Sequence, residues 1–208
     1  MILNSCFYDF LKRFSDITFS MIILVIIFPF LILISISILI SSGKPIFFKQ
    51  DRIGLKGKYF KMYKFRSMID KTEHKLTGYY TFEGDKRITK IGKYLRRYSL
   101  DELPQFYNVL KGDMSIVGPR PAIHDELSHE VIDEDKIGII KERTFVRPGL
   151  TGLSQVKERN DIDWNKKLYY DSIYLRYKPL KRLLLDINII FRTIFAIFSS
   201  KGVYDKKN

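Results

Sequence analysis

The sequence is poor in the groups that staple or metallate small proteins. Its 208 residues hold one cysteine, Cys6, which excludes a disulfide framework and a cysteine-based zinc site, since both need several thiols at fixed spacing. The three histidines, His74, His124 and His129, lack metal-ligand spacing and stand in polar surroundings, so no role is assigned to them. Internal repeats and low-complexity tracts are also missing. Acidic residues are outnumbered, 23 Asp+Glu against 36 Lys+Arg, and the formal charge of +13 calls for a polyanionic partner. Charge alone leaves nucleic acid, anionic lipid and phosphorylated substrates open. With 46% hydrophobic residues the chain is too apolar for a disordered basic tail and has the length of one domain.

The most telling absence is local. Residues 17–43, ITFSMIILVIIFPFLILISISILISSG, contain no charged side chain. As a helix this run would be about 40 Å long at 1.5 Å per residue. That exceeds the roughly 30 Å hydrocarbon core of a bilayer. A signal peptide has a shorter apolar run and a small-residue cleavage site, whereas Lys44-Pro45 and basic sequence follow here, so the segment is expected to be retained. Pro29 lies mid-run, where its missing N–H and its clash with the carbonyl of Val25 favour a kink or break. Lys12 and Arg13 flank the run on one side, and Lys44, Lys49 and Arg52 open a longer basic stretch on the other. The positive-inside rule therefore places the C-terminal side in the cytoplasm without sending the N-terminus across. A re-entrant hairpin and a single span both remain open at this point. The run LKRLLLDINIIFRTIFAIF after Pro179 carries too many charges for a span and suits an amphipathic helix at the membrane interface, or one that packs on the soluble core.

Residues 45–178 read as a compact α+β unit. The aromatic and β-branched stretches at 46–48 and 59–65, separated by Gly54 and Gly57, predict a hairpin. Residues 70–86 read as a polar loop, and a helical pattern begins at Thr89 and restarts after Ser99. In Ser99-Leu100-Asp101-Glu102-Leu103-Pro104-Gln105, S-x-x-E matches a capping box, with Asp101 complementing the helix dipole. Pro104 one turn in makes it a poor box. Two acids kept ionised by a helix N-terminus also suit a carboxylate nucleophile or a metal ligand.

Two arginines stand on stiff backbone. Arg120 lies between Pro119 and Pro121, which presents its guanidinium at low entropic cost for bidentate contact with phosphate oxygens. Arg147 precedes Pro148-Gly149, the central pair expected of a type II turn. Each could equally be a turn with a surface arginine. A helix over 163–177 would put Lys167, Asp171 and Tyr174 on one face, by default as a solvated ion pair.

Lys12-Arg13-Phe14-Ser15-Asp16, Phe48-Lys49-Gln50-Asp51-Arg52-Ile53-Gly54, Tyr63-Lys64-Phe65-Arg66-Ser67-Met68, the Ser99–Gln105 segment, Asn108-Val109-Leu110-Lys111-Gly112-Asp113-Met114-Ser115, Val117-Gly118-Pro119-Arg120-Pro121, Arg147-Pro148-Gly149-Leu150-Thr151-Gly152, and Asp171 with Tyr174 follow in an order that spans almost the whole chain. That series resembles the monotopic bacterial phosphoglycosyl transferases, the bacterial sugar transferase family that initiates lipid-linked glycan assembly. The resemblance implies transfer of a sugar 1-phosphate from a UDP-sugar to undecaprenyl phosphate, with release of UMP. It implies Asp101 as nucleophile through a phosphosugar-aspartyl intermediate, Glu102 beside it, and Mg²⁺ held by Asp101 and Glu102. Lys64, Arg66, Arg120, Arg147 and Asp171 fall at positions expected to bind substrate and phosphate, with Asp171 orienting a basic partner.

The same resemblance implies an α+β fold in two parts: a re-entrant membrane helix over residues 1–44, broken at Pro29, and a catalytic domain over 45–208 with amphipathic interfacial helices. That domain would face the cytoplasm from the bacterial inner membrane. Membrane lipids are implied as partners, a homodimer is admitted, and nucleic acid is not expected. Two departures stand out: Phe28-Pro29 where relatives have Ser-Pro, and Leu153-Ser154-Gln155-Val156-Lys157-Glu158-Arg159-Asn160 where they commonly start Trp-Ala and carry Asn-Gly. The short length matches relatives that often handle N-acetylated deoxyamino sugars such as bacillosamine or quinovosamine derivatives, with galactose-type donors also admitted. The alternative is a non-catalytic, basic, membrane-anchored binding module for anionic partners, which explains the charge but not the rigid arginine turns beside an acidic pair.

Overall fold

A computed structural model describes residues 2–69, 85–123, 137–157 and 163–198. The expected loop at 70–86 lies outside these residues apart from its last two positions, as do His74, His124, His129 and the segment 158–160.

The chain opens with α1, Ile2–Ser42, one helix that runs through Pro29. The expected break is therefore not an interruption of the helix. Ser35, Ser37 and Ser42 bond back to the carbonyls of Leu31, Leu33 and Ile38, so their hydroxyls are satisfied inside the helix and leave its surface apolar. Val25, Ile26, Phe28, Phe30, Leu33 and Ile40 are exposed.

Both ends of α1 grip the same domain. Near its start, Lys12 Nζ lies 3.1 Å from Asp186 Oδ2, Arg13 donates to the carbonyls of Val109 and Leu110, and Asp16 accepts from the Ile116 N–H. Towards its end, Leu31, Ile34 and Ile38 pack with Phe65, Leu95 and Leu100.

The predicted hairpin forms as β1, Phe47–Ile53, antiparallel to β2, Tyr59–Phe65, with a 3-10 turn at Leu55–Gly57 between them. Helix α2, Lys90–Arg97, starts at Thr89, whose hydroxyl caps the Gly92 N–H at 2.8 Å. A 3-10 turn, Leu100–Glu102, leads to α3, Gln105–Lys111. Phe60 and Met62 of β2 bury against Val109 of α3 and against Met114.

Strand β3, Ser115–Val117, precedes α4, Ile137–Arg143, and pairs in parallel with β4, Gly149–Thr151. The expected type II turn at Pro148-Gly149 is not formed, because Gly149 begins a strand and has no left-handed φ. Its glycine serves close approach instead: a Cβ there would stand 2.1 Å from the Gly118 backbone nitrogen.

Helices α5, Leu153–Lys157, and α6, Trp164–Arg176, complete the globular part, α6 starting where Asp163 caps the Asn165 N–H. The last helix is α7, Pro179–Phe198. One face buries Asp186 and Ile189 against Val117 and Tyr174, while Leu180, Leu184, Ile187, Phe191, Phe195 and Phe198 form an exposed apolar stripe at helical spacing. The packing expected against the soluble core is seen on one face, and the other carries the apolar stripe.

Candidate active site

Asp101 sits in the 3-10 turn between α2 and α3. Its turn is set by Ser99, which adopts a left-handed conformation (φ 55°, ψ 25°) and makes no side-chain cap. The capping box expected from S-x-x-E is therefore absent, and Glu102 points elsewhere: Lys64 Nζ on β2 donates to Glu102 Oε1 at 2.6 Å. Asp101 is buried, 6% exposed, and among the described residues no ion pair engages its carboxylate.

The two acids are driven apart. Burial pushes the Asp101 carboxyl above the usual range, with the Glu102 charge adding to the rise and Lys64 and Arg96 opposing it. The expectation that a helix dipole keeps Asp101 ionised is thus corrected, since desolvation dominates. Burial acts on Glu102 in the same sense, but Lys64, Arg120 and Arg96 outweigh it and hold that carboxyl down to about 2.

The placement of Lys64 against Glu102 is fixed from behind by Asn108 on α3, which is fully buried. Its Oδ1 accepts from the Tyr63 N–H at 3.0 Å and its Nδ2 donates to the Lys61 carbonyl at 2.7 Å, so one side chain completes the edge of β2 on either side of Met62.

The backbone at Arg120 is held by two arginines that donate to its own carbonyl and to the next one. Buried Arg52 donates to the Pro121 carbonyl at 2.9 Å, and Arg143 donates to the Arg120 carbonyl. The Arg120 charge acts on both Glu102 and Asp171. Asp171 is 1% exposed; it accepts from Ser154 Oγ at 2.9 Å, and Arg143 Nη2 stands 3.1 Å from its other oxygen. The solvated pair with Lys167 is corrected accordingly: Lys167 lies over the Trp164 ring and the basic partner of Asp171 is Arg143. Burial raises the Asp171 carboxyl despite Arg143, Ser154, Lys167 and Arg120.

Asp101, Glu102 and Lys64 are thus brought together, and the Arg120 charge acts on Glu102 and, with Arg143, on Asp171. Two expected phosphate ligands are placed elsewhere. Arg66 donates to the carbonyls of Ser42, Gly43 and Lys44 at the end of α1. Arg147 donates to the Gly112 carbonyl at the far end of α3 from Asp101. Arg52, Arg96, Asn108, Arg143 and Ser154 were not singled out as site residues, and only Arg52 and Asn108 fall within segments that carry the family resemblance.

Among the described residues no cluster of three or more His, Cys, Asp or Glu could hold a metal. The Asp101–Glu102 pair nevertheless fits Mg²⁺ in one respect: that ion commonly takes one or two carboxylates and completes its shell with water and substrate phosphate.

Residues 7–200 match the family model described as bacterial sugar transferase. The chain is 39% identical over 209 residues to the undecaprenyl-phosphate galactose phosphotransferase of Salmonella typhimurium, covering 94% of this chain and 42% of that protein. It is 40% identical over 201 residues to the UDP-glucose:undecaprenyl-phosphate glucose-1-phosphate transferase of Escherichia coli, covering 93% and 41%. With the exopolysaccharide production protein ExoY of Rhizobium meliloti it shares 35% identity over 207 residues, 93% of this chain and 88% of that one. The chain therefore spans about two fifths of the length of the first two relatives and most of the third.

Proposed function

The chain belongs to the bacterial sugar transferase family, and from that premise we propose that it transfers a sugar 1-phosphate from a UDP-sugar to undecaprenyl phosphate, releasing UMP, as a membrane step of glycan assembly. The observation that carries this reading is the acidic turn itself. Asp101 is buried and outside any described ion pair, while its neighbour is neutralised by Lys64 at 2.6 Å. A carboxylate so desolvated has lone pairs to offer an electrophile, and the cations around it receive the anionic phosphates.

Asp101 Oδ attacks the β-phosphorus of the donor; the bond from that phosphorus to the bridging oxygen breaks, and UMP leaves with the electron pair. A phosphate oxygen of undecaprenyl phosphate then attacks the same phosphorus and frees the Asp101 carboxylate. Arg120, whose charge acts on Glu102, would offset charge on the pyrophosphate, and Lys64 keeps Glu102 ionised. Mg²⁺, held by Asp101 and Glu102 with the donor phosphates, would supply the further charge neutralisation that an anionic nucleophile needs. Galactose and glucose appear in the names of two relatives, so UDP-galactose and UDP-glucose head the donors to be tried, followed by UDP-N-acetylated amino sugars.

The same proposal makes the protein monotopic on the cytoplasmic face. Its support is that contacts at both ends of α1 fall on one globular domain, with the exposed apolar stretch between them. A single span would have to sever one of the two sets. The exposed stripe of α7 supplies a second apolar surface for the same lipid face.

The test is UMP release from a panel of UDP-sugars with undecaprenyl phosphate and Mg²⁺. Turnover that Asp101→Asn abolishes supports the reading. Turnover at the parent rate in that variant excludes the nucleophile, and no turnover with any donor favours a binding module.

A further inference from the structure

A cleft of about 290 Å³ has Arg120 in its wall and does not include the acidic turn. The hairpin tip (Ile53, Lys56), the Pro119–Ala122 stretch and the end of α4 enclose it, and the Lys56 N–H donates to the Thr144 carbonyl at 2.7 Å to tie tip to helix. Ile53, Ala122, Ile140 and Val146 supply apolar side chains to its lining. The ionisable residues that line it are all cations: Lys56, Arg120, Lys141 and Arg143. Arg143 is already paired with Asp171, so an apolar slot edged by Lys56, Arg120 and Lys141 suits a ligand that is apolar at one end and anionic at the other.

We propose that this cleft receives the nucleoside end of the donor, with Arg120 as the shared wall from which the pyrophosphate reaches Asp101. The inference rests on the reading that the donor is a nucleoside diphosphate sugar and adds where that nucleoside sits. Three observations select it over the lipid acceptor. The hairpin tip lies a full strand, about 20 Å at 3.3 Å per residue, from the end of α1 to which Arg66 is tied. The cleft lies at the small end of ligand pockets, which suits a nucleoside and not a long polyprenyl chain. Finally, Arg120 lines the cleft and also acts electrostatically on Glu102, so one residue joins the two compartments.

Lys56 adds a further sign of a built site. It holds a left-handed backbone (φ 55°), which is unfavourable for a side chain with a Cβ, and it lines the cleft. Lys56→Gly removes the charge while relieving the backbone, so it separates a ligand role from a structural one.

The experiment uses the full chain in nanodiscs with 4-thiouridine 5′-monophosphate as photocrosslinker, together with direct binding of UMP and uridine. Crosslinks within residues 53–57 or 140–148, competed by UMP and not by undecaprenyl phosphate, are expected. Val146→Phe should weaken UMP and uridine alike by about tenfold or more, as an overfilled pocket does. Lys56→Gly should weaken UMP by about fivefold, as an exposed charge does, and leave uridine unchanged. Crosslinks elsewhere, competition by the lipid alone, or unchanged UMP affinity in a folded Val146→Phe protein would overturn the assignment. Turnover without crosslinks in the cleft sinks this inference alone; crosslinks there without turnover on any UDP-sugar sink the transferase reading and leave the nucleotide site standing.

Discussion

Lys64 Nζ lies 2.6 Å from Glu102 Oε1, and through that one contact β2 sets the charge state of the turn that holds Asp101. Lys64→Met should leave the fold intact and raise both carboxyls. The acid limb of kcat/KM for UMP release reports the free enzyme, and it should lie above the ordinary carboxylate range, because Asp101 must lose its proton to attack. In Lys64→Met that limb should move to higher pH while the maximal rate falls by about 10²-fold or more. An unmoved limb would mean that Lys64 does not face the nucleophile.

Asp101→Asn carries an opposite pair of outcomes. A carboxyl whose folded pKa is raised binds its proton more readily in the folded state, so its ionised form costs stability above that pKa, and the cost disappears below the unfolded value near 4. The variant should therefore lose turnover yet melt about 2–4 °C higher at neutral pH, the shift that ~1 kcal/mol produces at this chain length. By pH 4 the gain should be gone. Parallel melts of parent and variant across pH 4–8 measure it.

The Arg143–Asp171 pair, 3.1 Å apart and buried on both sides, predicts a strongly asymmetric double-mutant cycle. Arg143→Leu strands a buried carboxylate and should cost about 3–5 kcal/mol at neutral pH. Part of that loss should return as pH falls, since protonated Asp171 no longer needs the cation. Arg143→Leu with Asp171→Leu should recover most of the stability without recovering activity, because Arg120 loses the guanidinium that holds its carbonyl. Thermal denaturation and UMP release on the same preparations distinguish the two effects.

Topology is open to direct labelling. With Cys6→Ser and Leu3→Cys, an impermeant thiol reagent should fail to label intact cells and should label after permeabilisation. Labelling from outside would place the start of α1 across the membrane and end the monotopic proposal. Lys12→Met, which removes the contact to Asp186, should loosen that end without changing the labelling pattern.

The elements were legible where a local period and its punctuation agree. Thr89 and Asp163 cap the helices they were expected to open, and Gly54 and Gly57 bound the hairpin turn. Of the expected site residues, Asp101 and Glu102 share one turn, Lys64 bonds to Glu102, and the Arg120 charge acts on it. What could not be read is which acceptor each arginine takes. Arg52, Arg66, Arg143 and Arg147 all donate to backbone carbonyls from distant parts of the chain, and such a carbonyl leaves no mark on the side chain that will meet it. Ser99 failed for a related reason: the S-x-x-E pattern specifies a cap only when the backbone enters in an extended conformation, and here it enters left-handed.

Arg66 follows Phe65, the last residue of β2, and Lys64 lies two positions before it, on the same face of the extended chain. Because its guanidinium holds three successive carbonyls where α1 ends, the end of α1 and Lys64 share one mount. On the proposed reading that mount would act as a depth gauge. A phosphate that stays at the lipid surface would then always meet Lys64 at the same height, so neither the lipid nor the domain would have to travel for the second transfer.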